Sequence, residues 1–371
     1  MEPIRILQVF TILNRGGSET MIMNYYRSID RSKIQFDFLV HRQEKGEYDD
    51  EIENMGGKIY RMLPIRPGNF AEYKKRLDGF FQQHKEYKIV HAHLNALSTF
   101  VLYAAKKHGV LVRIAHSHTT HYNWNLKVLF RECSRMLLNQ QCTHRCACSE
   151  KAGSWLFGKK YTPEVIVLKN AIEAEAFRFK EESRRCVREI LNLQDRYIIG
   201  HIGSFTKAKN HKFIIDIFYS IRKRVENAVL LLVGEGELKQ EMIQKVETLG
   251  LKDSVMFLGY RGDVHEIMQA FDVFLFPSLF EGLPVAMIEA QAAGLPCVIS
   301  DTIPAEVKIT DLVEFNSLSK SSPYWAEQIT KYKNGYHRED RSEEIVKSGY
   351  DIKDNAKWLE GFYLTEYSKN G

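Results

Sequence analysis

Several things are missing from this 371-residue chain, and each absence removes a class of protein. No apolar run approaches the ~18 residues that a membrane span needs. Residues 1–10 lead straight into a strand without the features of a signal peptide, so a cytosolic protein is expected. There is no Gly-x-Gly-x-x-Gly dinucleotide turn and no Gly-x4-Gly-Lys-(Ser/Thr) triphosphate loop. Nor is there an elbow motif to support a Ser-His-Asp hydrolase. Low-complexity tracts are absent. Cysteine is scarce, at six residues, and no two clusters have zinc spacing. Cys142, His144, Cys146 and Cys148 lie close together, but the alternation around Cys146 and Cys148 reads as a strand carrying buried free thiols.

With 44% hydrophobic residues the chain can bury two cores, and its length favours two domains. Charge is divided unevenly. Residues 1–180 hold 28 Lys and Arg against 18 Asp and Glu, whereas residues 181–371 hold 24 against 29. Residues 101–160 alone hold 10 basic and 2 acidic side chains, which suits an anionic membrane surface. Lys127, Arg131 and Arg135 recur every four residues as one stripe on the helix expected at 126–140, with Trp124, Leu126, Leu129 and Phe130 beside it. Nucleic acid is not expected, because this stretch has no interleaved aromatics and no recognisable module.

Strands and amphipathic helices alternate almost throughout, which predicts parallel sheets and an α/β fold. Strands are expected at 4–10, 34–40, 58–62, 88–92, 111–115, 144–149 and 164–168, with helices at 19–29, 71–84, 96–108 and 126–140. A charge-rich stretch without a clear strand follows. Strands resume at 197–203, 228–233, 254–257, 272–276 and 297–300, and a final helix is expected over 352–367. The division is a first domain at 1–170, a linker at 171–195, a second domain at 196–350 and a terminal helix at 351–371. Doubly wound domains bind ligands at the carboxyl ends of their sheets.

The most informative segment is 275–296. An apolar strand ends at Pro277 and Ser278, a turn carries Glu281 and Gly282, and Pro284 opens a helix that contains Glu289 and stops at Gly294. Carboxylates accept hydroxyl hydrogen bonds, while a helix start with free N–H groups favours an anion. A polyhydroxylated, anionic ligand fits both.

The Phe-Glu-Gly-Leu-Pro context and the seven residues between Glu281 and Glu289 resemble the retaining glycosyltransferases of family 4. The resemblance covers nearly the whole chain and is strongest over 197–300. It implies the GT-B fold: two doubly wound, Rossmann-like domains facing across a cleft, with a C-terminal helix crossing back to the first. It implies that Glu289 holds the nucleotide ribose and Glu281 the donor sugar, with Gly282, Leu283 and Pro284 beside the donor. Gly16 and Gly17, in a Gly-Gly-Ser-Glu segment before a helix, match the family turn next to the donor diphosphate. Gly203 and Lys209 match a diphosphate-binding segment, but Ser204 stands where the family has arginine, and Lys207 is a candidate to supply the missing charge. Lysines at a helix start oppose its dipole and call for an anionic partner. Gly234 matches a turn that contacts phosphate or ribose. Tyr260 and Arg261 match the loop that reads the base.

In the first domain His118 matches the family position touching the donor sugar, and His93 and His116 are neighbours of it. His91, His93, His116 and His118 pair on strand faces by alternation. Enzymes of the other major nucleotide-sugar fold hold a metal with Asp-x-Asp, and no such triplet occurs here. Leaving-group stabilisation without a metal, and no cofactor, is therefore expected. The reading is a hexosyl or N-acetylhexosaminyl transfer from a nucleotide-diphospho-sugar, UDP favoured, to a glycan or lipid-linked acceptor in bacterial surface polysaccharide synthesis. The protein is expected in the cytoplasm or peripherally on the inner membrane face. Two alternatives stay open at this point: a UDP-sugar 2-epimerase of the same fold, and a catalytically silent sugar-nucleotide-binding subunit.

Overall fold

The computed structural model describes residues 2–119 and 128–369. They form two compact units, one of residues 1–171 with 352–371 and the other of 172–351. The first unit holds a seven-stranded sheet: β1 (Ile4–Phe10), β2 (Ile34–Val40), β3 (Ile59–Arg61), β4 (Ile89–Ala92), β5 (Val112–Ser117), β6 (His144–Ala147) and β7 (Val165–Val167). Their order is β3-β2-β1-β4-β5-β6-β7. The second holds β8 (Tyr197–Ile202), β9 (Ala228–Val233), β10 (Val255–Gly259), β11 (Val273–Phe276), β12 (Cys297–Ser300) and β13 (Val313–Asn316), in the order β10-β9-β8-β11-β12-β13. Both sheets are parallel throughout.

Helices cover both faces of such sheets, so the strands read as unbroken apolar runs. Ala228–Val233 and Val273–Phe276 are buried at every position. In each sheet the strand order reverses beside the first strand, between β1 and β4 and between β8 and β11. Loops part there to opposite faces and leave a crevice at the strand ends. The segments Asn14–Gly17 and Gly203–Asn210 each leave a first strand at this point, and Pro277–Gly282 leaves β11.

The expected linker at 171–195 is corrected. It carries helices Ala174–Phe177 and Glu181–Ile190 and belongs to the second unit. Its charges are anchored: Arg184 donates to Asp272 at 2.5 Å and Arg188 at 2.7 Å, and Arg188 also donates to the Ala270 carbonyl. Arginine forks satisfy the carboxylate and exposed carbonyls at the edge of a core, so a dense charge run here is structure.

The last helix, Ile352–Lys369, belongs to the first unit and lies against the helix Gly17–Ser28. It buries Ala356, Leu359 and Tyr363. Glu360 fixes it by accepting from Lys33 Nζ at 3.0 Å and from the Asp30 amide at 3.1 Å. Trp358 is half-exposed and stacks on Phe362.

Cys142, Cys146, Cys148 and Cys297 are buried free thiols, while Cys133 and Cys186 are exposed. Burial pushes the Cys146 thiol up to about 12, so it behaves as a small apolar side chain.

Candidate active site

In the second unit three loops meet at the sheet's carboxyl edge. Gly234 N–H donates to the Gly259 carbonyl, Gly203 N–H to Val233 and Phe205 N–H to Glu235. Gly234 has φ +140°, and a Cβ there would lie 2.3 Å from the Gly203 oxygen, so only glycine lets these backbones touch. The loop after β8 is tied to the loop after β11 by Leu279 N–H to the Ala208 carbonyl, 2.8 Å, and by Asn210 Nδ2 to the Pro277 carbonyl, 3.1 Å.

Those bonds bring Lys209 to Glu281. Lys209 Nζ lies 2.6 Å from Glu281 Oε1, with side-chain exposures of 18% and 12%, and 4.7 Å from the Phe276 ring centre. Glu281 is thus an anionic partner of the kind that a lysine beside a helix start requires. Lys207 is exposed. Pro284 forms the N-cap of the Val285–Ala292 helix. Glu289, in the last turn of that helix, is recessed, and burial pushes its carboxyl up to about 7. Arg261 pairs with Asp263 through two bonds, 2.8 and 2.5 Å, while Tyr260 is partly exposed. The arrangement offers a cation, a helix start and hydroxyl-accepting carboxylates at one sheet edge.

In the first unit the helix Gly17–Ser28 starts directly after Gly16, without a side-chain cap. The Glu19 carboxyl folds back toward Gly16, accepts from Ser18 Oγ at 2.8 Å, and is raised by burial. Across β4 and β5 the histidines form one stacked group. His93 lies 5.0 Å from His118 between ring centres, His116 lies 4.1 Å from His118, and His93 stacks on Phe10 at 4.3 Å. Burial holds His91 and His118 down at about 3 and His93 and His116 well below the ordinary histidine range, so all four rings are neutral. The Asn95 side chain fixes the His118 backbone by accepting from its N–H at 3.0 Å.

Two members of this group were not candidates on sequence grounds. Gln8, inside β1, accepts from His93 Nε2 and donates to the Tyr363 hydroxyl, and Tyr363 reaches His91 at 2.7 Å from the last helix. A glutamine amid Ile-Leu-Gln-Val-Phe was the available signal, because a buried polar group in an apolar strand needs partners. Tyr363 gave none, since its neighbours are set only by the returning helix.

The expected basic stripe on the helix after β5 is partly corrected. Lys127, like Trp124 and Leu126, lies outside the described residues. Arg135 turns onto its own fold, pairing with Glu132 at 2.8 Å and donating to the Trp155 carbonyl. The outward face of Val128–Leu138 is apolar: Leu129 is 75% and Met136 76% exposed, with Leu137 and Cys133 beside them.

Family models agree with both halves: "Glycosyltransferase Family 4" matches residues 15–176 and "Glycosyl transferases group 1" matches 183–350. The chain belongs to this glycosyltransferase family and is an enzyme of that class. It is 37% identical to EpsF of Bacillus subtilis (strain 168), named as a glycosyltransferase, over 99% of this chain and 98% of that one. It is 25% identical to the Staphylococcus aureus capsular polysaccharide biosynthesis glycosyltransferase CapH, over 88% of each. An Escherichia coli UDP-Gal:alpha-D-GlcNAc-diphosphoundecaprenol alpha-1,3-galactosyltransferase is 25% identical over 72% of each. Among solved structures, Anabaena HepE in complex with UDP and glucose superposes with a TM-score of 0.80 at 16% identity, covering 98% of this chain and all of that one. The fold is therefore GT-B: α/β, with two Rossmann-like parallel-sheet domains.

Proposed function

We propose that this glycosyltransferase is retaining and metal-independent, and that it moves a hexose or N-acetylhexosamine from a UDP-sugar to a glycan or lipid-linked acceptor in surface polysaccharide synthesis. The observation that carries this is the Lys209–Glu281 pair set 2.6 Å apart before a helix start, with Glu289 recessed in the same helix. Lys209 neutralises the diphosphate, Glu281 holds sugar hydroxyls, and Glu289 accepts from the ribose. Gly16 and Gly17 lie beside the diphosphate, Arg261 and Tyr260 beside the base, and His118 beside the sugar, with His93 and His116 behind it. The departing phosphate oxygen takes the acceptor's proton, so the reaction needs no separate side-chain base. The CapH and galactosyltransferase names support the polysaccharide and UDP-sugar parts of this reading.

A thermal-shift panel of nucleotide sugars tests the donor. At a hundredfold excess over Kd the cognate UDP-sugar is expected to raise Tm by roughly 5–10 °C. That shift, and release of UDP, should survive EDTA. Loss on chelation with recovery in magnesium would overturn the metal-independent part.

The lipid-linked acceptor implies work at a membrane surface. Among the described residues no helix is long and apolar enough to cross one. Leu129, Met136 and Leu137 give the Val128–Leu138 helix an apolar face suited to a headgroup boundary. Anionic vesicles should co-sediment the protein, and less so as salt rises. Replacing Leu129 and Met136 by serine is expected to weaken that binding about tenfold or more. Equal sedimentation of wild type and variant would favour a soluble acceptor.

A further inference from the structure

The buried polar groups of the first unit form a chain whose hydrogens can be followed. Gln8 Oε1 accepts from His93 Nε2 at 2.9 Å. Neutral His93 then has a lone pair at Nδ1, which accepts from His118 Nε2 at 2.8 Å. That leaves His118 Nδ1 as an acceptor. On the other arm Gln8 Nε2 donates to the Tyr363 hydroxyl at 3.2 Å, so the hydroxyl's own hydrogen goes to His91 Nδ1 at 2.7 Å. His91 Nε2 therefore carries its hydrogen and donates to His116 Nδ1 at 3.1 Å, leaving His116 Nε2 as a donor. Among the described residues that nitrogen is buried without a partner. Turning the Gln8 amide by half a turn reverses every donor and acceptor in both arms. The two ends, His118 Nδ1 and His116 Nε2, thus always have opposite character.

The same rings are not arranged to grip a cation. His91, His93 and His116 bring ligand atoms within 4.8 Å of one another. Yet every nitrogen of these three rings except His116 Nε2 is already hydrogen-bonded. The rings also stack, with interplanar angles of 11–34°, so their lone pairs do not converge.

We propose that Gln8 and Tyr363 are positioning residues: through His93 and His91 they tie the tautomer of His118 to that of buried His116, and so decide which group His118 offers to the donor sugar. This rests on the assignment of His118 to that sugar. With the tautomer fixed, Nδ1 accepts from a sugar hydroxyl each time. With both tautomers populated, the same atom is a donor in part of the molecules and meets the hydroxyl wrongly.

The test uses the full chain with 15N-labelled histidine and no ligand. NMR is expected to show His118 Nδ1 and His116 Nε2 with opposite protonation, one pyrrole-type and one pyridine-type. Two alike overturns the relay and needs no variant. In Tyr363→Phe the ring keeps its edge contact with Phe36 at 5.9 Å, but the hydroxyl that links the Gln8 amide to His91 is gone, and His118 is no longer tied to the His91–His116 arm. His118 should then show both tautomers although residue 363 does not touch it. UDP release from the donor sugar should fall on the order of tenfold, with UDP affinity unchanged. An unmoved His118 tautomer, or an unmoved turnover, overturns the proposal. If wild-type protein turns over no sugar nucleotide, the assignment of function fails instead, while the tautomer measurements still decide the relay.

Discussion

Lys209→Ala is expected to lower turnover by two to three orders of magnitude, and Lys207→Ala by far less. A preorganised charge aimed at the departing diphosphate acts where water is excluded, and loss of one such donor costs roughly 10²–10³ in rate. Lys209 has that setting, recessed at 18% exposure and held 2.6 Å from Glu281, whereas Lys207 is exposed. The single variant also takes the cation from a recessed carboxylate, so stability should fall by about 1–3 kcal/mol. A double variant separates the two effects. Lys209→Ala with Glu281→Ala should recover most of the lost Tm and none of the turnover, because the recessed carboxylate that lost its lysine is gone but the diphosphate's cation is not restored. If Lys207→Ala proves the more damaging, the exposed lysine supplies the charge that Ser204 lacks, and the assignment of Lys209 is wrong.

Glu289 gives the second large effect, and its sign depends on pH. Burial raises the carboxyl to about 7 in the folded protein, from 4.5. The fold therefore favours the protonated form. Its contribution to stability is complete below about pH 4.5 and is lost as pH rises through 7. Glu289→Gln, neutral at every pH, should melt close to wild type at pH 5. At pH 8 it should be more stable by on the order of 2–3 kcal/mol. Nucleotide binding should move the other way. Ribose hydroxyls donate to the ionised carboxylate, so UDP-glucose affinity is expected to rise up to about tenfold from pH 6 to pH 8 in wild type and to stay flat in Glu289→Gln. Glu289→Ala should lose ~1.5–3 kcal/mol of UDP binding. Calorimetry showing unchanged UDP affinity in that variant would remove the ribose assignment.

Much of the fold is legible because the inner parallel strands are runs buried on both faces. Ile4–Phe10, Ile34–Val40, Ala228–Val233 and Cys297–Ser300 fall where the apolar runs lie. The strand Val313–Asn316 was not expected, since Val-Glu-Phe-Asn is short and mixed, as suits an edge with one neighbour. The linker expectation rests on the lack of a clear strand between 168 and 197; the stretch is helical instead, with Arg184 and Arg188 spent on Asp272 and backbone carbonyls. In the candidate site the motif residues stood out singly, each beside a glycine or a helix start. Their pairings did not: nothing in the order of residues tells that Leu279 N–H bonds the Ala208 carbonyl and so carries Glu281 to Lys209.

By itself the sequence determined the alternation of strand and helix, the two-domain division and the family to which 275–296 points. Those depend on period, turn chemistry and spacing, which are local along the chain. Only the tertiary structure decided that Lys209 meets Glu281, that Arg135 turns inward and leaves an apolar helix face outside, and that Tyr363 closes a buried relay with Gln8 and four histidines. Tyr363 and Gln8 are 355 residues apart. Their hydrogen bond exists because the last helix buries Ala356, Leu359 and Tyr363 against the first unit, where a hydroxyl removed from water must find its partner among whatever polar groups the packing has left there.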